Sequence, residues 1–326
     1  MHTVARWRSA AIAVLALTLS DPVAAEEGYV PTPDGIRLYY RKEGTSPQVV
    51  VLPGRLFAFE DFRWLAEHFT LISYDMRNRG RSDVVADDAK IGFEEEVADL
   101  ETVRRHFAVE RMALMGYSYL GKIVVLYALE HPERVARIVQ FGSVAPNFET
   151  QYRAEYVFQD DPVDPAVRAR LRALRNERSY HLTHPREYCE EEWKVVHRPS
   201  LVGDPAKVDR VRIDVCGLPN EWPILQVRHL RLHFEESGMT LATPLDRVRN
   251  LPTPVLTVHG TRDRNAPYGG GREWSYLLPQ GRLLTIDGAG HHVFAEASET
   301  VMPAVLDFLR GNLPAAAVKV TDDPRQ

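Results

Sequence analysis

A serine, an aspartate and a histidine of this sequence have the surroundings that nucleophilic catalysis requires. Ser118 lies in MGYSYLGK, between the strand-like run RMALMG and the helix-like run LGKIVVLYALE. Asp263 follows the strand-like run PVLTVHG, and His291 follows RLLTID in the loop GAGHH. A serine hydroxyl is a weak nucleophile that needs a neighbouring base, and the base needs an orienting acid. Ser118, His291 and Asp263 could fill these roles if the fold brings them together.

The turn around Ser118 departs at one position from the usual nucleophile-elbow spacing, G-x-S-x-G. Gly116 stands two residues before the serine, but Leu120 occupies the place of the second glycine, and Gly121 follows one position later. A sharp strand-to-helix turn would still expose the serine and direct the following backbone N–H groups toward an oxyanion. A serine that merely caps a helix is the alternative interpretation.

Alternating strands and helices are predicted to hold these residues. Short β-branched runs alternate with helical runs such as FEEEVADLETVRRHF, which favours an α/β fold with a mostly parallel sheet flanked by helices. The loops that follow the strands of such a sheet share one edge. We expect a core of residues 26–145 and 244–314, a helical cap of residues 146–243 and a loose C-terminal tail of residues 315–326.

The first residues and the composition bear on location and partners. MHTVARWRS, the apolar run AAIAVLALTL and the small residues of DPVAAEE predict a signal peptide of residues 1–25. The apolar run is shorter than the roughly 20 residues that span a membrane. We therefore expect an exported protein, periplasmic or secreted, with no stable membrane anchor. A formal net charge of −5 gives no electrostatic reason to expect a nucleic-acid partner.

The two cysteines and the histidine pairs raise the questions of a disulfide and a metal. Cys189 and Cys216 could form a disulfide in an oxidising compartment, or remain two buried thiols. His181 with His184, and His291 with His292, lack a third ligand in a zinc pattern, so no metal is expected. YGGGREW lacks the lysine of a phosphate-binding loop and is interpreted as a loop that enters a helix. No cofactor is expected.

Five motifs together resemble a known family. VVVLPG, YDMRNRGRSD, GYSYLG, GTRDRNAP and GAGHH occur in the order found in the α/β-hydrolase superfamily, in its lidded branch that includes proline iminopeptidases and related serine esterases. The resemblance covers nearly all of the chain after the signal peptide. It implies an α/β-hydrolase fold with Ser118 as nucleophile, Asp263 as acid and His291 as base, with His292 as the competing histidine.

The resemblance also implies how an oxyanion would be bound. The backbone N–H groups of Tyr119 and Arg55 would be the donors. The family often has His-Gly before the second donor, and this chain has Pro53-Gly54. The YDMRNRGRSD loop of the family supports the oxyanion loop, which suggests structural roles for Asp75 and Arg77.

The substrate is less well defined by the sequence. In proline iminopeptidases, acidic cap residues recognise the free amino terminus, and Glu191, Glu192 or Glu221 could do so here. Solvated surface acids are the alternative interpretation. We expect hydrolysis of a carboxylic ester or small amide through an acyl-enzyme. A proline iminopeptidase-like aminopeptidase and a catalytically silent secreted binding protein remain open.

Overall fold

One sheet of eight strands organises the chain. The computed structural model describes residues 25–177, 179–222, 228–233 and 242–326. Its strands are β1 (Glu26–Pro31), β2 (Arg37–Glu43), β3 (Val49–Pro53), β4 (Thr70–Tyr74), β5 (Met112–Tyr117), β6 (Val135–Phe141), β7 (Val255–Gly260) and β8 (Gly281–Ile286). They lie in the order β1-β2-β4-β3-β5-β6-β7-β8. β1 pairs antiparallel with β2, and β2 pairs antiparallel with β4, whereas β3 to β8 are mutually parallel. The predicted fold class is confirmed.

The central strands are buried along their whole length because both faces of the sheet are covered. Every residue of β4, β5 and β7 is buried, as expected for parallel strands between layers of helices. β1, which the sequence pattern did not reveal, pairs antiparallel with β2 at the edge of the sheet.

Helices cover both faces of the sheet and form the cap. They are α1 (Arg55–Phe62), α2 (Phe93–His106), α3 (Leu120–Glu130), α4 (Pro165–Glu177), α5 (Tyr180–Thr183), α6 (Pro185–Glu192), α7 (Arg198–Ser200), α8 (Leu245–Val248), α9 (Tyr268–Leu277), α10 (Val293–Glu296) and α11 (Ser298–Leu309). One apolar cluster contains residues of α2, α3 and α9, and a second contains residues of α1 and α11. Helices α4 to α7 lie between β6 and β7 in the chain, within the predicted cap.

The glycine run YGGGREW is part of helix α9 and not a loop before it. A Cβ atom on Gly271 would lie 2.4 Å from Nδ1 of His259, at the end of β7. Glycine therefore lets α9 approach β7 closely, and this contact explains the unusual composition of the helix.

The C-terminal tail, expected to be loose, is packed against the core. Val318 and Leu283 exchange backbone hydrogen bonds of 2.9 and 2.8 Å, and Val320 is buried. Lys319 Nζ donates to the carbonyl oxygen of Leu278 at 2.6 Å. The prediction was wrong because β8 is the last strand of the sheet, and its open edge offers backbone partners to the tail.

The N-terminal signal prediction falls on residues 1–25, of which 1–24 lie outside the described residues. In the described part of the chain, no helix combines the length and the apolar character needed to cross a membrane.

Candidate active site

Ser118 occupies a tight turn between β5 and α3. Its φ angle is +58°, in the left-handed region that non-glycine residues rarely adopt. A Cβ atom on Gly116 would lie 2.5 Å from the carbonyl oxygen of Leu120, so only glycine fits before the turn. Such backbone strain concentrates at functional sites, where the surrounding structure maintains it.

The residues after Ser118 explain how the turn packs with Leu120 in place of the second glycine of G-x-S-x-G. A Cβ atom on Gly121 would lie 2.5 Å from Oγ of Ser143, so Gly121 permits the close contact between α3 and the loop after β6. Leu120 is buried, and its Cδ1 atom fills the space beside Gly54, where a Cβ atom would lie only 2.5 Å away. The absence of glycine at position 120 is thus matched by glycine at position 54.

Asp263 and His291 meet at the same edge of the sheet. Asp263 follows β7 and His291 follows the neighbouring strand β8. His291 Nδ1 lies 2.8 Å from Asp263 Oδ2. An ionised carboxylate can only accept hydrogen bonds, so Nδ1 carries the proton and Nε2 is left to act as the base.

Asp263 is a buried carboxylate surrounded by donors. Its Oδ1 accepts hydrogen bonds from the backbone N–H groups of Asn265 and Ala266, each at 2.8 Å. His259 Nε2 lies 3.2 Å from Oδ2. Burial by itself raises the pKa of Asp263, but the charge of His291 and the hydrogen bonds from His259 and His291 outweigh it. The pKa of Asp263 therefore lies well below 3.8, and the side chain is ionised when it orients His291.

His292, the competing histidine, lies in a different environment. Its Nε2 atom is 3.6 Å from Oδ2 of Asp61, and its ring packs 4.1 Å from that of Phe294. Burial lowers its pKa below 6.5. The structure brings His291, and not His292, to Asp263.

Ser118 and His291 line the same cavity. Its volume is about 220 Å³, and its other lining residues are mainly apolar or aromatic: Phe57, Tyr117, Tyr119, Trp193, Leu201, Ile213 and Asn265. The cap contributes Trp193, Leu201 and Ile213, so the insertion forms part of the cavity wall. A mainly apolar cavity with a few polar groups is the usual form of a small-molecule site.

The two residues predicted to bind the oxyanion lie at the starts of helices α3 and α1. Tyr119 follows Ser118 directly, and Arg55 is the first residue of α1, after β3. Arg55 NH2 donates to Asp75 Oδ2 at 3.1 Å, which fixes the start of α1 to the loop after β4. Arg77 forms a buried pair with Asp99, with bonds of 2.8 and 2.6 Å. Asp75 thus contacts the start of α1, and Arg77 contacts α2.

The three acidic cap residues proposed for amine recognition have different partners. Glu191 is paired with Arg170. Glu221 is buried, and it accepts bonds from Arg79 NH2 at 2.7 Å and from the backbone N–H of Gly80 at 2.7 Å. Glu191 and Glu221 therefore each have a guanidinium partner within the protein.

Glu192 alone of these acids combines a cavity position with no arginine hydrogen bond among the described residues. It lines a second cavity of about 310 Å³ together with Trp193, His197 and Arg175. Its carboxylate lies 3.3 Å from the Tyr188 hydroxyl and 3.8 Å from His197 Nε2. Burial raises the pKa of Glu192, but His197 outweighs it and the pKa lies below 4.5.

A disulfide joins Cys189 to Cys216, with Cα atoms 5.7 Å apart. Cys189 lies at the wall of the second cavity. The bridge ties helix α6 to the segment just before Glu221.

Sequence reasoning missed a carboxylate that holds the histidine loop. Glu296 is fully buried, and its Oε2 accepts bonds from the backbone N–H groups of Gly290 at 2.7 Å and Gly203 at 3.0 Å. Its Oε1 accepts from the N–H of Asp204 at 2.8 Å. Glu296 therefore joins the loop that carries His291 to the cap. No motif marked it, because its partners are backbone groups, and two of them, Gly203 and Asp204, are distant in the sequence.

A second group that sequence reasoning missed consists of Glu96, His229 and His233. Each offers one potential metal-ligand atom, and these atoms lie within 4.8 Å of one another. Burial, followed by the charges of Arg79, His233 and Arg228, holds the pKa of His229 well below 6.5. The spacing of four residues between the histidines was the available signal, but Glu96 lies far away in the sequence.

The comparisons with known proteins identify the family. A family model for the alpha/beta hydrolase fold matches residues 49–298, which is most of the chain. The chain therefore belongs to the α/β-hydrolase family, and the predicted family is confirmed.

Individual relatives are distant and chemically diverse. The chain is 24% identical over 294 residues to 2-hydroxy-6-oxo-2,4-heptadienoate hydrolase of Pseudomonas putida, covering 88% of this chain and 98% of the relative. It is 21% identical over 306 residues to proline iminopeptidase of Lactobacillus helveticus, covering 84% and 95%. A solved esterase from a Rhodococcus species (ECU1013) has a TM-score of 0.63 at 23% identity, covering 87% and 98%. The last of these likenesses establishes the fold alone.

Proposed function

We propose that the protein is a serine hydrolase that cleaves a carboxylic ester, or a small amide, through an acyl-enzyme on Ser118. One observation carries the proposal. Ser118, on a strained turn, lines the same cavity as His291, whose Nδ1 lies 2.8 Å from the buried carboxylate of Asp263. Nucleophile, base and orienting acid in this arrangement activate a serine hydroxyl.

In the first half of the proposed reaction, Ser118 Oγ attacks the substrate carbonyl carbon while His291 Nε2 takes the hydroxyl proton. The carbonyl π electrons move onto oxygen, which the backbone N–H groups of Tyr119 and Arg55 would stabilise. The tetrahedral intermediate then expels the alcohol or amine, which receives the proton from His291. Asp263 stays ionised and stabilises the imidazolium.

In the second half, water replaces the leaving group. His291 Nε2 removes a proton from water as the oxygen attacks the acyl carbon, and the same proton returns to Ser118 Oγ when the ester bond breaks. The products are the free acid and the regenerated serine. No redox step or cofactor enters this balance.

The cavity supports a small, largely apolar acyl group. Phe57, Leu201 and Ile213 line it beside Ser118. An aminopeptidase is the second candidate, and one observation favours it: Glu192 lines the adjoining cavity and could meet a substrate ammonium. The ester is preferred because Glu191 and Glu221 are already paired with arginines.

Labelling with a fluorophosphonate tests the nucleophile. Intact-mass spectrometry should detect one adduct on the wild-type protein and none on Ser118→Ala. Ser143→Ala is the matched control, because Ser143 lies in the loop after the neighbouring strand β6 and does not line the Ser118 cavity. Folded wild-type protein without an adduct would reject the serine hydrolase and leave the silent binding protein.

Substrate rates then separate the two hydrolase candidates. A short acyl ester should turn over faster than a proline arylamide in wild-type protein. If the arylamide is preferred and Glu192→Gln raises its KM while leaving that of the ester unchanged, the aminopeptidase is the correct assignment.

We also propose that the protein is exported. The signal-like residues 1–25 and the Cys189–Cys216 disulfide support this, because disulfides persist mainly in oxidising compartments. Amino-terminal sequencing of protein from the native cells should begin at Glu26. A cytoplasmic protein that retains residues 1–25 would contradict the proposal.

A further inference from the structure

Glu96, His229 and His233 form a buried cluster behind the nucleophile turn. Glu96 belongs to helix α2 of the core, and the two histidines lie one helical turn apart in the cap segment 228–233. The exposed fractions are 2% for Glu96, 2% for His229 and 1% for His233. None of the three lines the cavity that contains Ser118. The cluster is thus separate from the proposed catalytic residues and joins the cap to the core.

The polar atoms of the cluster are incompletely satisfied. Neither ring nitrogen of His229 has a hydrogen-bond partner among the described residues, and the same holds for Glu96 Oε2. His233 Nε2 lies 3.0 Å from Glu96 Oε1. A buried polar group without a partner costs about 1–3 kcal/mol. Within the described part of the chain, an imidazole nitrogen and a carboxylate oxygen are therefore buried without a hydrogen-bond partner, and a further ligand would satisfy both.

The donor atoms specify the kind of ligand. Each residue offers one atom, and these atoms lie within 4.8 Å of one another. A tetrahedral zinc ion with Zn–N bonds of about 2.0–2.1 Å needs ligand atoms roughly 3.3 Å apart, so modest side-chain rotations would close the site. Two imidazoles and a carboxylate suit zinc and its neighbours, whereas calcium and magnesium prefer oxygen ligands alone.

We propose that Glu96, His229 and His233 bind one divalent transition-metal ion, zinc or a close relative, that fastens the cap segment to helix α2. The histidine spacing of four residues places both rings on one side of a helical turn, with centroids 4.8 Å apart. Glu96 approaches from the core. The fourth position is open to water or to a protein oxygen.

The site adjoins the residue that follows the nucleophile. The Tyr119 hydroxyl donates to Glu96 Oε1 at 3.4 Å, and the Tyr119 ring lies 4.9 Å from that of His233. The nearby Arg79 is paired with Glu221 at 2.7 Å, so its charge is balanced by that carboxylate. A bound ion would hold the cap segment, Glu96 and the Tyr119 ring together. It takes no part in the proposed hydrolysis, and its existence does not depend on that function.

Metal titration of the tag-free, full mature chain tests the proposal. After removal of metal with a chelator, Zn²⁺ and Co²⁺ are added separately and followed by calorimetry, and Co²⁺ also by its visible absorption. We expect one equivalent to bind with a micromolar or smaller Kd. Saturating Zn²⁺ should raise the Tm by about 5 °C.

Substitutions identify the ligands. His229→Gln and Glu96→Gln should each weaken binding by at least 10-fold, whereas His184→Gln should not, since His184 is an exposed cap histidine outside the cluster. Circular dichroism of the metal-free variants establishes that they are folded. If either cluster variant fails to fold, X-ray absorption of zinc-loaded wild-type protein replaces it and should show two imidazole ligands.

Three results would overturn the proposal. They are the lack of stoichiometric binding by folded wild-type protein, unchanged affinity in folded His229→Gln, and an absorption spectrum with fewer than two imidazoles. In each case the cluster is a histidine pair packed against a carboxylate, without a metal ion. These readouts are independent of hydrolytic activity.

Discussion

Asp263 at the edge of the sheet and Glu221 in the cap are both buried carboxylates, but their partners differ. Asp263 is held by His291 and His259 and by backbone N–H groups. Glu221 is held by the Arg79 guanidinium and the Gly80 N–H. A histidine partner can exchange a proton near neutral pH, whereas an arginine remains charged. A buried carboxylate with histidine partners, at the edge of the sheet, is therefore suited to catalysis. A buried carboxylate with an arginine partner, in the cap, is suited to anchoring.

The difference follows from how each region is built. In the core, parallel strands bring the ends of β5, β7 and β8 to one edge, so the candidate catalytic residues meet there. In the cap, the disulfide joins helix α6 to the segment before Glu221, and the Arg79–Glu221 ion pair attaches that segment to the core. Acidic residues of the cap are thus more readily explained by attachment than by substrate recognition.

The largest expected effect comes from removing the charge of Asp263. Asp263→Asn should lower kcat for a short ester by about 1,000- to 10,000-fold, because the amide can stabilise the wrong tautomer of His291. Steady-state kinetics on folded protein measures the loss. Asp61→Asn is the control, since Asp61 lies beside His292. An equal loss in the control would make His292 the base.

A smaller effect, on stability, is expected at Glu221. Glu221→Gln leaves the buried Arg79 guanidinium without its counter-charge and should lower the free energy of unfolding by about 3–5 kcal/mol. Glu191→Gln, at a more exposed pair, should change it by less than about 1 kcal/mol. Urea denaturation compares them. If Glu221→Gln has wild-type stability but a raised KM for a proline arylamide, the anchoring role is wrong.

The smallest expected effect is a change in the free energy of unfolding with pH in the acid range. The pKa of Asp263 is lower in the folded state than its ordinary 3.8. The unfolded chain therefore takes up this proton first as the pH falls, and the stabilisation present above the unfolded pKa is progressively lost.

Between pH 5 and pH 3 this group should account for a loss of about 1 kcal/mol in the free energy of unfolding. Asp263→Asn should lack this loss, so the free energy of unfolding of the variant should fall less steeply as the pH decreases. If the free energy of unfolding falls with pH at the same slope in the wild-type protein and in Asp263→Asn, the histidines do not hold the carboxylate of Asp263 ionised.

Local patterns predicted much of the core. Strand-like runs identified β5, β7 and β8, and helical runs identified α2 and α3. β1 was missed because its residues are largely exposed and carry little apolar pattern. The tail was misjudged because its order depends on the open edge of β8, which no local signal in the tail reveals.

The sequence by itself determined the order of strands and loops, and with it the candidates Ser118, Asp263 and His291. Chain connectivity is sufficient for this, because parallel strands deliver the residues that follow them to one edge of the sheet. Only the tertiary structure separated His291 from His292 and gave Glu221 an arginine partner. Only the fold brought Glu96 to His229 and His233. Such contacts join residues far apart in the chain, so they depend on packing geometry that local sequence patterns do not encode.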